Sequence, residues 1–375
     1  MAASPSSAAT AVPFTRGSSL ATMQDATRSY AAGASDQIQL QTNAFLESIV
    51  LDFALVTSGN SASVTFAGDG PWNVISTLQL VDPAGQAIIT PITGYQLYLL
   101  NKYLPDTDCR FDPQQDPNYS AVTGTGGTGG SFSFRLVVPI EHRRRDALGA
   151  LNNSAANQRY LINVNIVSAF STVYGTAPTT ESTALTLNVY QQYWTSPPSV
   201  ITTSAGSSQV QGTPTGLGTV GFVRYESHNE VSGGGSPQIQ LNNVGDYISS
   251  IIFVLRATST NARDVADWPP TFNWWVNDFQ VHQLTINDWQ RWAARAYGYT
   301  AAVGSAGGLD TGVFPLFQLA AMFDRVDNFA PANQYLPTDA TTKLQIRGSQ
   351  FGASAGKLEV ITRMIRPVSG AALFA

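Results

Sequence analysis

Cysteine is almost missing from this 375-residue chain: Cys109 is the only one, so no intrachain disulfide can form and no Cys-x-x-Cys zinc site exists. Histidine is nearly as scarce. His142, His228 and His282 are the three, and none stands at a ligand spacing such as H-E-x-x-H. Charged residues make up 12%, about half the usual share. The net charge of −5 argues against gripping a phosphate backbone, so direct genome packaging is not expected. Long apolar runs are missing too: the best, residues 48–56 and 247–255, fall far short of the ~20 needed to span a bilayer as a helix. The opening MAASPSSAATAVPF has no charged start followed by an apolar stretch, so a secretory leader is not expected.

What the chain does have is 43% hydrophobic residues, 32 Gly and 20 Pro, arranged as many short segments. Gln37-Ile38-Gln39-Leu40, Phe132-Ser133-Phe134-Arg135-Leu136, the stretch 160–166 and Lys357-Leu358-Glu359-Val360-Ile361 place alternate side chains on one face. They are rich in β-branched and aromatic residues and are bounded by turn formers, as strands are. Helical patterns are few: 94–103, 146–152 and 287–297, with 18–32 as a further short candidate. Residues 1–35 are small and polar and read as an N-terminal arm. The stretch 196–218, with paired prolines, Ser, Thr and Gly, reads as a connector. The expected organisation is a first domain over 36–195 and a second over 219–375 with a C-terminal tail.

The second half repeats the first. Gln37-Ile38-Gln39-Leu40 returns as Gln238-Ile239-Gln240-Leu241, and Phe45-Leu46-Glu47-Ser48-Ile49-Val50 lines up with Tyr247-Ile248-Ser249-Ser250-Ile251-Ile252. Residues 75–80 are set opposite 276–281, each followed by an aromatic-rich helix candidate, then by a Pro-containing segment at 132–140 or 313–319. About seven or eight strands per half suit an antiparallel sandwich with hidden edges. The expected fold is all-β: two tandem eight-stranded jelly-roll β-sandwiches with a few short helices. Long inserts at 106–130, 299–311 and 328–341 would form its loops.

The inventory for chemistry is thin. No catalytic, cofactor-binding or metal-binding residue is assigned, and no cofactor is expected. Asp106, Asp108 and Asp112 cluster in one loop but lack the Gly and terminal Glu of an EF-hand. Thr123 to Gly130 is glycine-rich, yet a strand follows it where a phosphate loop needs Lys-Ser/Thr and a helix. The run His142-Arg143-Arg144-Arg145 reads as a solvated face or a subunit salt bridge, with an anion contact as the alternative. With 17 Arg against three Lys, planar two-pronged contacts to carboxylates at protein interfaces are favoured. Trp72, Trp274, Trp275, Trp289 and Trp292 fall in matching regions of the halves, which favours core or interface over a carbohydrate platform. A glycan-processing alternative would pair Asp106 or Asp112 with Glu226 or Glu230.

Several segments in order resemble the double jelly-roll major capsid protein of tectivirus-type tailless phages with an internal membrane. They are Phe45 to Val50, Asn73 to Pro83 with Gly94 to Tyr98, the Val-Pro-Ile of 132–140, and Ala147 to Ala150 leading to Arg159 to Ile162. Over the second half the similarity lies in element order. The resemblance implies a non-enzymatic structural protein that assembles with itself as a homotrimer of pseudo-hexagonal outline and with neighbouring trimers. It further implies penton and minor capsid proteins as partners, a virion shell made in the host cytoplasm, and an N-terminal arm turned inwards towards the viral membrane or a neighbouring tile. The Gly- and Thr-rich loops depart from that pattern, and no residue-level function is carried over.

Overall fold

The computed structural model of the chain describes residues 14–58, 63–103, 112–125, 127–142, 144, 146–180, 182–195, 200–202, 208–210, 212–214, 220–229, 238–242, 245–257, 260–263, 271–285, 287–289, 291–292, 311–316, 336–339, 341–347 and 356–366. The first half holds β1 (Leu20–Tyr30), β2 (Ser35–Gln39), β3 (Phe45–Leu55), β4 (Thr65–Phe66), β5 (Ile75–Val81), β6 (Ala87–Ile92), β7 (Ser120–Ala121), β8 (Phe132–Pro139), β9 (Leu151–Asn152), β10 (Leu161–Ile166), β11 (Tyr174–Thr176) and β12 (Leu185–Trp194). A hairpin of β13 (Val200–Thr202) and β14 (Ser208–Val210) follows, inside the segment read as a connector. The second half holds β15 (Val220–Asn229), β16 (Gln238–Gln240), β17 (Tyr247–Ala257), β18 (Thr271–Val276), β19 (Phe279–Thr285), β20 (Val313–Leu316), β21 (Leu336–Pro337), β22 (Leu344–Arg347) and β23 (Gly356–Arg366). Two α-helices are described in full, α1 (Phe14–Gly17) and α2 (Gly94–Tyr103), and residues 287–289 and 291–292 are helical.

The two halves share one wiring. In the first, sheet order β1-β12-β3-β8 faces β2-β10-β5-β6; in the second, β15-β23-β17-β20 faces β16-β22-β18-β19. Each set of four plus four is an eight-stranded jelly roll, so the expected double sandwich is present. The short strands match as well: β9 pairs with the start of β3 where β21 pairs with the start of β17. Alternation explains the packing. Leu51, Phe53 and Leu55 point into the first core, and Ile251, Phe253 and Leu255 into the second.

Register places the repeat residue by residue and corrects one part of it. Ile38, Ile162 and Leu80 form one rung, and its counterpart is Ile239, Ile346 and Trp274. Leu80 therefore corresponds to Trp274, not to Val281. The proposed match of 75–80 with 276–281 straddles the turn between β18 and β19. The cause is loop length before these strands: nineteen residues, 56–74, separate β3 from β5, but only thirteen, 258–270, separate β17 from β18.

Three other expectations change. Residues 20–30, placed in the arm and given a helical candidate at 18–32, form β1, which pairs along its length with β12. Its small polar side chains hide the alternation because its sheet edge and outer face are exposed. Residues 146–152 are not a helix: Ala147 and Gly149 take positive φ, a tight turn follows, and β9 begins at Leu151. The helical reading of 287–297 holds for the described 287–289 and 291–292; the remainder, like Cys109, Asp106, Asp108, Arg143, Arg145, Glu230 and most of 299–311 and 328–341, lies outside the described residues.

A single parallel bridge, Val223 to Ile89, joins β15 to β6, so one nine-stranded sheet runs through both halves. The sheet β15-β23-β17-β20 is consequently covered on both sides. Its Phe253 and Val360 face the second core, while Val223, Ile252, Val254, Ile361 and Val313 join the core of the first half. That explains the near-continuous apolar run of β17, since a strand buried on both faces has no polar side. The position equivalent to Val254 in the first half is Asp52, which is partly exposed and paired with Arg135. Val254→Asp therefore tests the covering directly: it should cost about 3–5 kcal/mol by leaving a buried unpaired charge, read as a lowered denaturant midpoint. Asp at the equivalent first-half position is native.

Candidate functional site

The most chemically distinctive region is the seam between the halves. Arg256, on β17, contacts Asp69 at 2.7 Å and Glu359, on β23, at 2.9 Å. Arg263 contacts Asp69 at 2.8 Å, donates to the Gly68 and Thr311 carbonyls, and lies 4.8 Å over the Tyr95 ring of α2. Glu359 also receives Gln96 from α2 and the Tyr225 hydroxyl. Burial opposes the charge on Glu359, but Arg256 and Lys357 outweigh it and hold the carboxyl below its usual range. Two adjoining cavities of about 430 and 540 Å³ run along this network. Among the described residues each of these charges has an opposite partner, so the arrangement locks the two halves together.

The basic run forms the other end of the seam. His142 is buried, where the run was read as a solvated face or a subunit salt bridge. The turn at Ala147 and Gly149 folds the segment back, so the His142 amide donates to the Leu148 carbonyl at 2.8 Å. Gly221 of β15 packs on the His142 ring so closely that a Cβ there would overlap it. Burial, then the nearby Arg363 charge, pushes the imidazole well below its ordinary pKa, so it is neutral. Arg363 donates to the Glu141 carbonyl at 2.7 Å, and Leu148 packs on Ile365. Arg144 pairs with the buried Glu47 at 2.9 Å, a salt bridge within the chain.

Beside them, the Trp194 indole donates to the Glu141 carboxyl at 2.6 Å. Burial pushes that carboxyl up to about 8, with the indole and Arg144 opposing and the Glu47 and Asp146 charges adding. Phe14 of α1 packs on Trp194, Phe45, Ala147 and Ala150. The anchor for the N-terminal segment thus sits on this carboxyl. Sequence reading missed it because Glu141 stands next to a basic run that suggests solvent.

The remaining flagged residues are scattered. Trp72, Trp274 and Trp289 are buried core residues; Arg347 covers the Trp275 ring at 4.2 Å; Trp292 is exposed. Asp112 caps a turn and lies 3.6 Å from Lys102, whereas Glu226 accepts from the Asn242 amide and lies 3.6 Å from His228, so the structure does not bring the two together as a pair. His282 stands edge-on to Trp289. The glycine-rich stretch is a hairpin connection between β7 and β8, where Gly124 bridges to Val64 and Gly130 bonds back to Val122. Among the described residues no group of three or more His, Cys, Asp or Glu could hold a metal ion.

Several sheet edges stay open, β1 and β19 among them: among the described residues β1 pairs only with β12, and β19 only with β18. Five large apolar side chains are exposed among them, and four lie at these edges: Leu20 on β1, Phe279 and Val281 on β19, and Trp292 just beyond it.

Two jelly rolls in tandem, fused along a buried seam, define a double jelly-roll protein. Solved structures sharing this fold include viral capsid proteins. The crystal structure of the STIV major capsid protein matches at 14% identity and a TM-score of 0.60, over 95% of this chain and 100% of that one. The major capsid protein of bacteriophage PM2 matches at 12% identity and 0.52, over 94% and 99%. The PBCV-1 virus capsid matches at 10% identity and 0.56, over 93% of each chain. No protein-family model matches the sequence, and no curated protein matches it.

The raised Glu141 carboxyl has a defined pH consequence. Its proton stabilises the fold fully below the unfolded carboxyl range near pH 4.5, and that stability is lost as pH rises through about 8. Between those limits the native chain should lose up to about 5 kcal/mol relative to Glu141→Gln, at about 1.36 kcal/mol per unit. Unfolding midpoints of the two proteins from pH 5 to 9 measure the difference, which should widen with pH.

Proposed function

We propose that this chain is the major capsid protein of an icosahedral virus with an internal membrane, in the manner of the tectivirus type. It acts without catalysis, by self-assembly into trimers of pseudo-hexagonal outline that tile the virion shell. In this reading residues 14–195 and 220–366 are the two tiles of one chain, and the segment between them is their connector. The observation that carries the proposal is the duplicated wiring, with strand order, register and accessory pairs β9 and β21 all repeated. Two equivalent blocks per chain let threefold contacts give a nearly sixfold outline. The shared fold with viral capsid proteins supports the same role.

The finer partners rest on the sequence resemblance: penton and minor capsid proteins, the viral membrane met through the N-terminal arm, and synthesis in the host cytoplasm. Nothing favours the glycan reading, since Trp72, Trp274 and Trp289 are buried. Expressed protein should sediment at about three times the 40.0 kDa chain mass, with hexagonal outlines in negative stain. A chain that remains a monomer throughout the micromolar range would overturn the proposal.

A further inference from the structure

The seam inside the chain is a template for a contact between chains. Within one chain, β6 meets β15 in parallel at Ile89 and Val223, and Thr90 supports the joint: its hydroxyl accepts from the Tyr225 amide at 2.9 Å and donates to the Val223 carbonyl at 3.3 Å. The duplication sends β6 to β19 and β15 to β1, and both of these are open edges.

The register fixes the residues. Ile89 lies opposite Leu80, whose counterpart Trp274 lies opposite His282; so Ile89 maps to His282 and Thr90 to Gln283. Val223 lies opposite Arg363 and thence Ser250, as Thr22 lies opposite Gln192 and thence Ser48; so Val223 maps to Thr22 and Tyr225 to Gln24. Thr22, Gln24 and Gln283 are exposed.

We propose that β19 of one copy docks in parallel on β1 of the next, with His282 opposite Thr22, and that Phe279, Val281 and Trp292 are covered in that contact. This rests on the capsid reading and names its interface. The occupant is a second copy because the same chain already shows the fit of these two elements at β6 and β15. The contact is heterologous, so three repeats close a ring instead of pairing two faces. Open strand edges invite uncontrolled pairing, and a specific neighbour removes that hazard.

The two contacts differ in chemistry. The covered outer face of the second half is Val223, Tyr225, Ile252, Val254, Ile361 and Val313; its first-half counterpart is Thr22, Gln24, Val50, Tyr190 and the ion pair Asp52–Arg135. The contact between chains is thus the more polar one, as expected of surfaces that meet after folding.

The test uses full-length chain carrying Cys109→Ser. One preparation adds Thr22→Cys, another His282→Cys, and the two are mixed and oxidised. A disulfide-linked dimer should form in the mixture and in neither preparation alone, and the doubly substituted chain should give covalent trimers. A trimer by mass that never links at this pair overturns the interface while leaving the capsid reading intact; a persistent monomer overturns both. As an independent check, Phe279→Glu, at an exposed site, should weaken trimer formation at least tenfold with the unfolding midpoint unchanged. Undiminished assembly of that variant would also sink the interface.

Discussion

The sheet β15-β23-β17-β20 has no face for water, and the rest of the molecule is organised around that fact. Its outer side needs a cover, and the first half provides one through β6, α2 and the 140–150 segment. Arg256 and Glu359 enter that side as a pair. Arg256 and Glu359 stand where the first half has Ala54 and Asn188, so the ion pair belongs to the covered copy of the face. A buried pair of this kind adds little net stability, but leaving either member alone is costly. It therefore selects one register of one half against the other.

Much of this was legible in the sequence. The Gln-Ile-Gln-Leu repeat and the matched apolar runs fell on β2 with β16 and β3 with β17, because buried alternation and length survive duplication. The apolar run Ile251 to Leu255 already carried the second covered face. What escaped was set by local geometry. A connection from β17 to β18 shorter than the one from β3 to β5 displaced the repeat from β18 onward. β1 escaped because an edge strand with Thr, Gln, Asp and Ser outward shows no apolar stripe.

The candidate site was less legible. Arg144 and His142 sit in one basic run, yet one reaches a buried carboxylate and the other is enclosed against Gly221. Nothing in the run distinguishes them; the difference arises at Ala147 and Gly149, whose positive φ turns the chain back on itself. Of the five tryptophans read as core or interface, Trp72, Trp274 and Trp289 are core and Trp292 is exposed.

The unequal polarity of the two outer faces carries a consequence for the order of events in the cell. The greasy copy is sealed within its own polypeptide as soon as that polypeptide folds, and the wettable copy is the one left outside. Each chain can therefore finish folding with its apolar copy of the face already sealed, leaving only the ion-paired copy to be met later.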